Sequence, residues 1–465
     1  MTDSTPRSSE LREAVEAGFP AALADLTRLV RIPSVSWDGF DPEHVVRSAE
    51  AVAELARGTG VFDEVEVVRV PMEGTEDLGL PTVFARRAAR EGRPTVLLYA
   101  HHDVQPPGED ADWESRPYEP TLRGDRLAGR GAADDKAGIT AHLAAIRALV
   151  AAGIDPKVGI VLYVEGEEEF LSRSLPTFLE RFHDRLAADA IVIADSGNWD
   201  LDTPALTVAL RGAVAFNMRI TTLGHAVHSG VFGGALPDAM MAAVQLLNTL
   251  WNADGSNAVA GLTSHEAETP EYDEARLREE SGLPDHASPI GRGEILHRSW
   301  YQPSITVTGI DAPSVKNASN TLVPSVRVRI SARVAPGQSA REYLEILQQH
   351  LRDHAPHGAQ LEFDGVDVGE AFLVDTDGWA VDEALATMEE AYGTAPVLMG
   401  GGGSIPFTAD LVAHFPDAQI LITGVEDPDS RAHSPNESVH LPTLQRAILA
   451  EAFLLARLDA RTIES

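Results

Sequence analysis

The sequence predicts an α/β protein, in which one discontinuous α/β sandwich domain carries an inserted, smaller α+β domain. Three observations predict it. Short continuously apolar runs such as TVLLYA, residues 95–100, read as strands buried on both faces. These runs alternate with helical patterns, which points to a largely parallel sheet. Near Leu206 the pattern switches to apolar–polar alternation, as in SVRVRISARV, and after about Asp375 the α/β pattern returns.

Taken in order, the first helix is expected from Ser8 or Ser9 to Val30, with Ser9 as N-cap and Glu10 and Glu13 in the first turns. A second is expected over 43–57, followed by β-rich runs at 64–70, 81–86 and 95–100. An Ala-rich helix after Asp134 runs to about Ala152. A strand at 158–164, a helix at 172–187 and a strand at 190–194 follow. TVALRGAVAFNMRITTL is a long strand or hairpin, and a helix covers 237–251. Residues 252–298 are polar, acidic and irregular. Alternating strands SITVTGI and SVRVRISARV, a helix over 340–354 and a strand over 359–363 complete the insert. The last part has a helix over 379–392, the strand AQILITG and a final helix over 441–458. No internal repeat or long low-complexity tract interrupts this order.

The 465 residues allow about two or three domains. With 44% hydrophobic residues there is enough apolar material for a large core. Lys plus Arg is 37 and Asp plus Glu is 71, a formal net charge of −34. So acidic a surface repels phosphate backbones and anionic headgroups, which argues against nucleic acid and membrane as partners. The absence of cysteine removes thiol nucleophiles, disulfide scaffolds and Cys-based zinc sites. The N-terminus has no basic region leading into an apolar one, and no stretch of about 18 apolar residues occurs, so the expectation is a soluble cytoplasmic protein.

Five motifs could carry chemistry. YAHHDVQPPG closes a buried strand, the place where ligands sit in open α/β sheets. Its His101 and Asp103 lie two apart and suit a metal ligand with its orienting carboxylate, or simply a hydrogen-bonded His at a strand end. GRGAADDKAG, residues 129–138, lacks phosphate-loop spacing; its paired carboxylates are a helix N-cap or metal ligands, and Lys136 suggests a local salt bridge. EGEEEF, residues 165–170, sets four Glu within five positions at a strand end, where they need a counter-charge. IVIADSGNW places Asp195 at another strand end, and AHSPNE places His433 soon after AQILITG. Together these hard oxygen ligands and imidazoles fit a two-metal site holding zinc, manganese or cobalt.

With those motifs in this order, the chain resembles the di-zinc amidohydrolases, the family of aminoacylase, succinyl-diaminopimelate desuccinylase, glutamate carboxypeptidase and the carnosine and cytosolic non-specific dipeptidases. The resemblance spans nearly the whole chain. It implies a catalytic metallopeptidase domain at 1–208 and 375–465 and a lid/dimerisation domain at 209–374. It implies two divalent metal ions: one held by His101 and Asp195, the other by Glu169 and His433, with Asp134 shared and a cis peptide after it. Asp103 would orient His101, and Glu168 would be the general base. Asp at position 195 goes with the dipeptidase and aminopeptidase branch. HSGVFGG is similar to a dipeptidase lid motif in which His228 stabilises the oxyanion across a dimer interface. Arg333, Thr321 and the GGGSIP loop with Gly402, Gly403 and Ser404 resemble the residues that hold the substrate carboxylate.

The resemblance therefore implies a homodimeric dipeptidase acting on free dipeptides or small amides, with N-acyl-amino-acid deacylase as the alternative. A non-catalytic binding module would need a missing ligand or base, and none is missing. A further lid-side histidine of some dipeptidases has no counterpart in AFLVDTDGW. His102, His225, His265, His286, His297, His354, His357 and His414 read as structural or surface, Trp113 and Trp199 as core or rim, and Glu165 and Glu167 as supporting or solvated. Around Ser229 no Asp–His relay can be assembled.

Overall fold

The computed structural model describes residues 5–402 and 406–462. The chain divides into two units. The first is Met1–Val208, Val374–Met399 and Asp410–Ser465; the second is Ala209–Leu373 with Gly400–Ala409. Gly400–Gly402, read from sequence with the first domain, thus group with the second. The tie is local: the carbonyls of Gly401 and Gly402 accept hydrogen bonds from the backbone and side chain of Arg211.

The first unit is built on a mixed sheet. Its strands lie in the order Glu64–Val68, Thr82–Arg87, Gly159–Glu165, Thr95–His101, Ala190–Ile193, Gln419–Ile422 and Ala205–Leu210. The four from Gly159–Glu165 to Gln419–Ile422 pair in parallel. Gly159–Glu165 and Ala190–Ile193 are buried throughout, which is why they read as unbroken apolar runs. Parallel pairing brings the C-terminal ends to one edge and sets His101 opposite Glu165. The helices Ser8–Val30, Lys136–Ala151 and Leu441–Ala460 pack on one another. No described helix is long and apolar enough to cross a membrane.

Ser9 does not cap the first helix. Arg7 does, in a left-handed conformation and with no side-chain cap bond, while Ser9 donates to Glu10. A buried ion pair braces the helical layer: His142 Nδ1 lies 2.8 Å from Glu451 Oε1, and its Nε2 bonds the Tyr99 carbonyl. Burial opposes the imidazolium, but Glu451 prevails and raises the His142 pKa above 6.5. A raised folded-state pKa gives stability that is complete below the unfolded value and fades as pH rises through the folded one. Glu451→Gln is therefore expected to lose about 3 kcal/mol at pH 6 and clearly less at pH 9, read by denaturant unfolding at both.

The second unit is a four-stranded antiparallel sheet in the order Ser304–Asp311, Ser325–Val334, Gly212–Thr221, Gln360–Gly369. Along Ser325–Val334 buried and half-buried residues alternate, and the buried set joins Val214, Phe216, Met218 and Ile220 in a core closed by helices Ala239–Leu247 and Ala340–Asp353. The run expected as one strand or hairpin breaks at Arg211 into Ala205–Leu210 and Gly212–Thr221. Residues 252–298 are not wholly irregular: they contain helix Glu274–Ser281 and the start of Ile295–Trp300. The first buries no residue, so it shows no apolar stripe. It stands on the Asp273 N-cap, the Gly282 cap at φ 68° and the i,i+4 pairs Arg276–Glu280 and Arg278–Glu274.

Candidate metal centre

The candidate ligands come from one strand end of the first unit's sheet, His101, and from turns and loops that follow other strands. His101 is the last residue of its strand and is fully buried. Its Nε2 lies 3.0 Å from Asp134 Oδ1 and 3.7 Å from Asp195 Oδ1. On the other side of Asp134, Oδ2 lies 2.9 Å from His433 Nε2, which is 3.2 Å from Glu169 Oε2. Two ligand groups result, His101–Asp134–Asp195 and Asp134–Glu169–His433, with donor atoms in each within 4.8 Å of one another. Asp134 belongs to both.

The DD pair divides two tasks that sequence left as alternatives. Asp134 joins the ligand groups, while Asp135 caps helix Lys136–Ala151 by accepting from the Gly138 N–H at 3.2 Å. Asp135 also accepts from the His101 backbone N–H, and the peptide between the two aspartates is cis. Lys136 makes no salt bridge among the described residues; its buried ammonium donates to the carbonyls of Leu29 and Ile32, and burial lowers its pKa to about 7.

Asp103 lies beyond the strand end, fully buried, with Oδ1 3.4 Å from His101 Nδ1. Its carboxylate also accepts the backbone N–H groups of Glu168 and Glu169 at 3.2 and 3.1 Å. One side chain thus orients the imidazole and pins the glutamate turn. Gln105, which carried no sequence signal, donates to Glu169 Oε2 at 2.6 Å and fixes that carboxylate.

The largest omission from the sequence reading is Glu437, at the end of the AHSPNE motif. It is fully buried, with Arg130 Nη1 2.7 Å from Oε2. The N–H groups of Gly131, Ala133 and Asp134 donate to the same carboxylate at 3.0, 2.9 and 3.1 Å. Glu437 therefore clamps the backbone that presents Asp134 to the loop that presents His433. His433 itself adopts φ 61°, a conformation that costs a non-glycine residue energy and that clusters at functional sites.

The electrostatics favour positive charge. Burial, then Asp195, pushes the Glu168 carboxyl well above the usual range, and burial with Asp134 pushes Glu169 up to about 7. Burial would raise Asp134 too, but His101 and His433 hold it well below. The hydrogen bonds to Asp134 and Glu169 raise His433 to about 11. The ion pairs of Asp134, Asp195 and Glu169 all run to these two imidazoles. Carboxylate and imidazole donors crowded this closely around one shared aspartate fit a pair of divalent cations. Glu165 and Glu167 are buried and partnered rather than solvated: Tyr99 O–H donates to Glu165, and Ser174 and Arg173 donate to Glu167. His102 is structural, fully buried with Nε2 2.9 Å from the Pro81 carbonyl.

The second unit brings two other candidates together. His228 and Thr321 are direct partners in the short antiparallel pair Val227–His228 with Thr321–Leu322. His228 is exposed, and its Nδ1 accepts the Gly230 N–H at 3.0 Å. Arg333 lies on the half-buried face of its strand, opposite Ser304 and Ala213. The Gly402 carbonyl faces Arg211 at 3.4 Å. Gly403 and Ser404 lie outside the described residues.

The cysteinylglycine-S-conjugate dipeptidase of Corynebacterium striatum is 33% identical over 422 residues, covering 89% of this chain and 91% of that protein. The Cys-Gly metallodipeptidase dug1 of Schizosaccharomyces pombe is 28% identical, covering 94% and 96%. Among solved structures, the dipeptidase Dug1p of Saccharomyces cerevisiae superposes with a TM-score of 0.80 at 23% identity, over 98% of this chain and 99% of that one. Human carnosine dipeptidase 1 gives 0.78 at 24% identity, over 98% and 99%. At those identities the likeness establishes the fold, an α/β sandwich with an inserted α+β domain. A family model matches residues 97–457, and on that match and the bacterial relative the chain belongs to Peptidase family M20/M25/M40.

Proposed function

We propose that this chain hydrolyses dipeptides with free amino and carboxyl termini at a dinuclear zinc site. It is an enzyme, a metal-dependent peptidase, and the dipeptidase names of its relatives support dipeptides as the substrate class. The observation that carries the reading is the pair of ligand groups sharing Asp134, with the Glu168 carboxyl beside them.

Two bound divalent cations supply Lewis acidity and neutralise the carboxylate cluster. Glu168 then acts as the base: it takes a proton from the attacking water and returns one to the leaving amine. Asp103 holds Glu168 by its backbone N–H, so one carboxylate positions both the base and the His101 ring. Because His228 Nδ1 accepts a hydrogen bond, the neutral ring carries its proton on Nε2 and can donate to an oxyanion. Arg333, Thr321 and the loop of Gly402, Gly403 and Ser404 hold the substrate carboxylate. The chain works as a cytoplasmic homodimer in which His228 serves the partner's site.

Chelated protein re-supplied with zinc or manganese and offered a dipeptide and its N-acetylated twin tests the substrate class. Cleavage of the free-amine substrate alone is expected; preference for the acylated twin overturns the dipeptidase reading in favour of a deacylase. For the dimer, His228→Ala is expected to lower kcat by about 10²-fold or more with KM little changed. Mixing it with Glu168→Gln should restore part of the activity. Verified mixed dimers that recover nothing would refute the trans role of His228.

A further inference from the structure

Arg211 lies at the break between strands Ala205–Leu210 and Gly212–Thr221, and its guanidinium has no carboxylate partner among the described residues. Nη1 reaches only the Gln302 carbonyl at 3.4 Å and Ser304 Oγ at 3.3 Å, and Nη2 the Gly402 carbonyl at 3.4 Å. Its Nε is buried with no partner. These are long contacts for a cation that can form five short ones. Arg333 stands nearby. It pairs across the sheet with Ser304, the residue whose hydroxyl Arg211 touches, and with Ala213, whose methyl puts little bulk on that face. Burial and the Arg333 charge together lower the Arg211 pKa to about 10, so the two guanidiniums sense each other. In a chain with 71 acidic residues, two adjacent arginines with no carboxylate partner among the described residues point to an anion from outside the chain.

The surroundings allow one in. A side chain at Gly402 would begin 3.3 Å from Arg211 Nη2, so glycine leaves the approach open. Arg211 also lines a cavity of about 520 Å³ with Gln302, Ser304 and residues of the 252–298 stretch.

We infer that Arg211 and Arg333 form a two-guanidinium site, with the Ser304 hydroxyl, for the C-terminal carboxylate of the substrate. The inference rests on the dipeptidase reading, which gives that carboxylate to Arg333; it adds Arg211 as a second, specificity-determining cation. A carboxylate between two guanidiniums gains charge-assisted bonds from both and relieves their mutual repulsion.

The test is equilibrium binding by calorimetry to zinc-loaded Glu168→Gln protein, which needs no turnover. The probes are a dipeptide and its C-terminal amide. Arg211→Met is expected to weaken the free dipeptide about tenfold or more and the amide less than about twofold, with Arg211→Lys between. Combining Arg211→Met with Arg333→Met should be non-additive. If Arg333→Met weakens the free dipeptide and Arg211→Met or Arg211→Lys does not, the inference fails and the parent reading stands. Equal weakening of acid and amide also overturns it, since Arg211 would then only brace the Gly401–Gly402 backbone. If Arg333→Met too leaves the acid unaffected, the parent assignment of the carboxylate is wrong.

Discussion

Glu168→Gln is expected to lower kcat by about 10³-fold or more, toward the upper end of what a positioned acid–base group contributes. The amide matches the carboxyl in size and cannot take or return a proton. Glu168 belongs to neither ligand group. Its turn is anchored by its backbone N–H on Asp103, which the substitution leaves intact. Zinc content and thermal stability should therefore stay close to wild type while turnover collapses. A variant that loses zinc along with activity would make Glu168 a ligand; one that keeps turnover would move the base elsewhere.

Glu437→Ala is expected to be the most damaging change away from the reacting atoms. Removing the carboxylate leaves Arg130 buried without its partner, at a cost of about 3–5 kcal/mol. It also strands the N–H groups of Gly131, Ala133 and Asp134, so the segment presenting Asp134 loses its clamp. Because Asp134 serves both ligand groups, affinity for both cations should fall by about 10- to 100-fold, the range seen when the partners of metal ligands are removed. Competition against a chelating dye reads this directly, apart from activity. Glu437→Gln keeps the volume and one acceptor oxygen, so it should fold better yet still bind zinc more weakly than wild type. Wild-type zinc affinity in a folded Glu437→Gln protein would reduce Glu437 to a stability role.

What was legible in the sequence was what local chemistry decides. Helix Trp379–Tyr392 shows its own period and ends on Gly393 in a left-handed cap, and its bounds follow from those residues. The strands ending at His101 and Glu165 are buried on both faces, so they appear as apolar runs with chemistry at their ends. That pattern brings the motifs around His101, Glu165–Phe170 and Asp195 into view; the choice of Asp134, Glu169 and His433 as ligands comes from the family resemblance. The misses share a cause: their partners are far away in the chain. Glu437 acts on residues some 300 positions earlier, and nothing near it suggests that four donors converge on it. Gln105 matters because Glu169 folds back to it. For Glu165 and Glu167 the sequence left supporting and solvated roles open, and partners brought in by the fold, Tyr99, Ser174 and Arg173, decide for the first. Helix Glu274–Ser281 was missed for the opposite reason: it buries nothing, and side-chain pairs along its own surface hold it.

On the proposed function, Asp134 joins two cation sites on which hydrolysis depends. The most direct measurement is a zinc titration of chelated protein, with bound metal and cleavage of a free dipeptide followed together. Two ions per chain are expected, with activity absent without metal and complete only with the second ion, and with both tight sites lost in Asp134→Asn. Full activity in metal-free protein, or saturation of activity at one ion with Asp134→Asn still binding tightly, would contradict it.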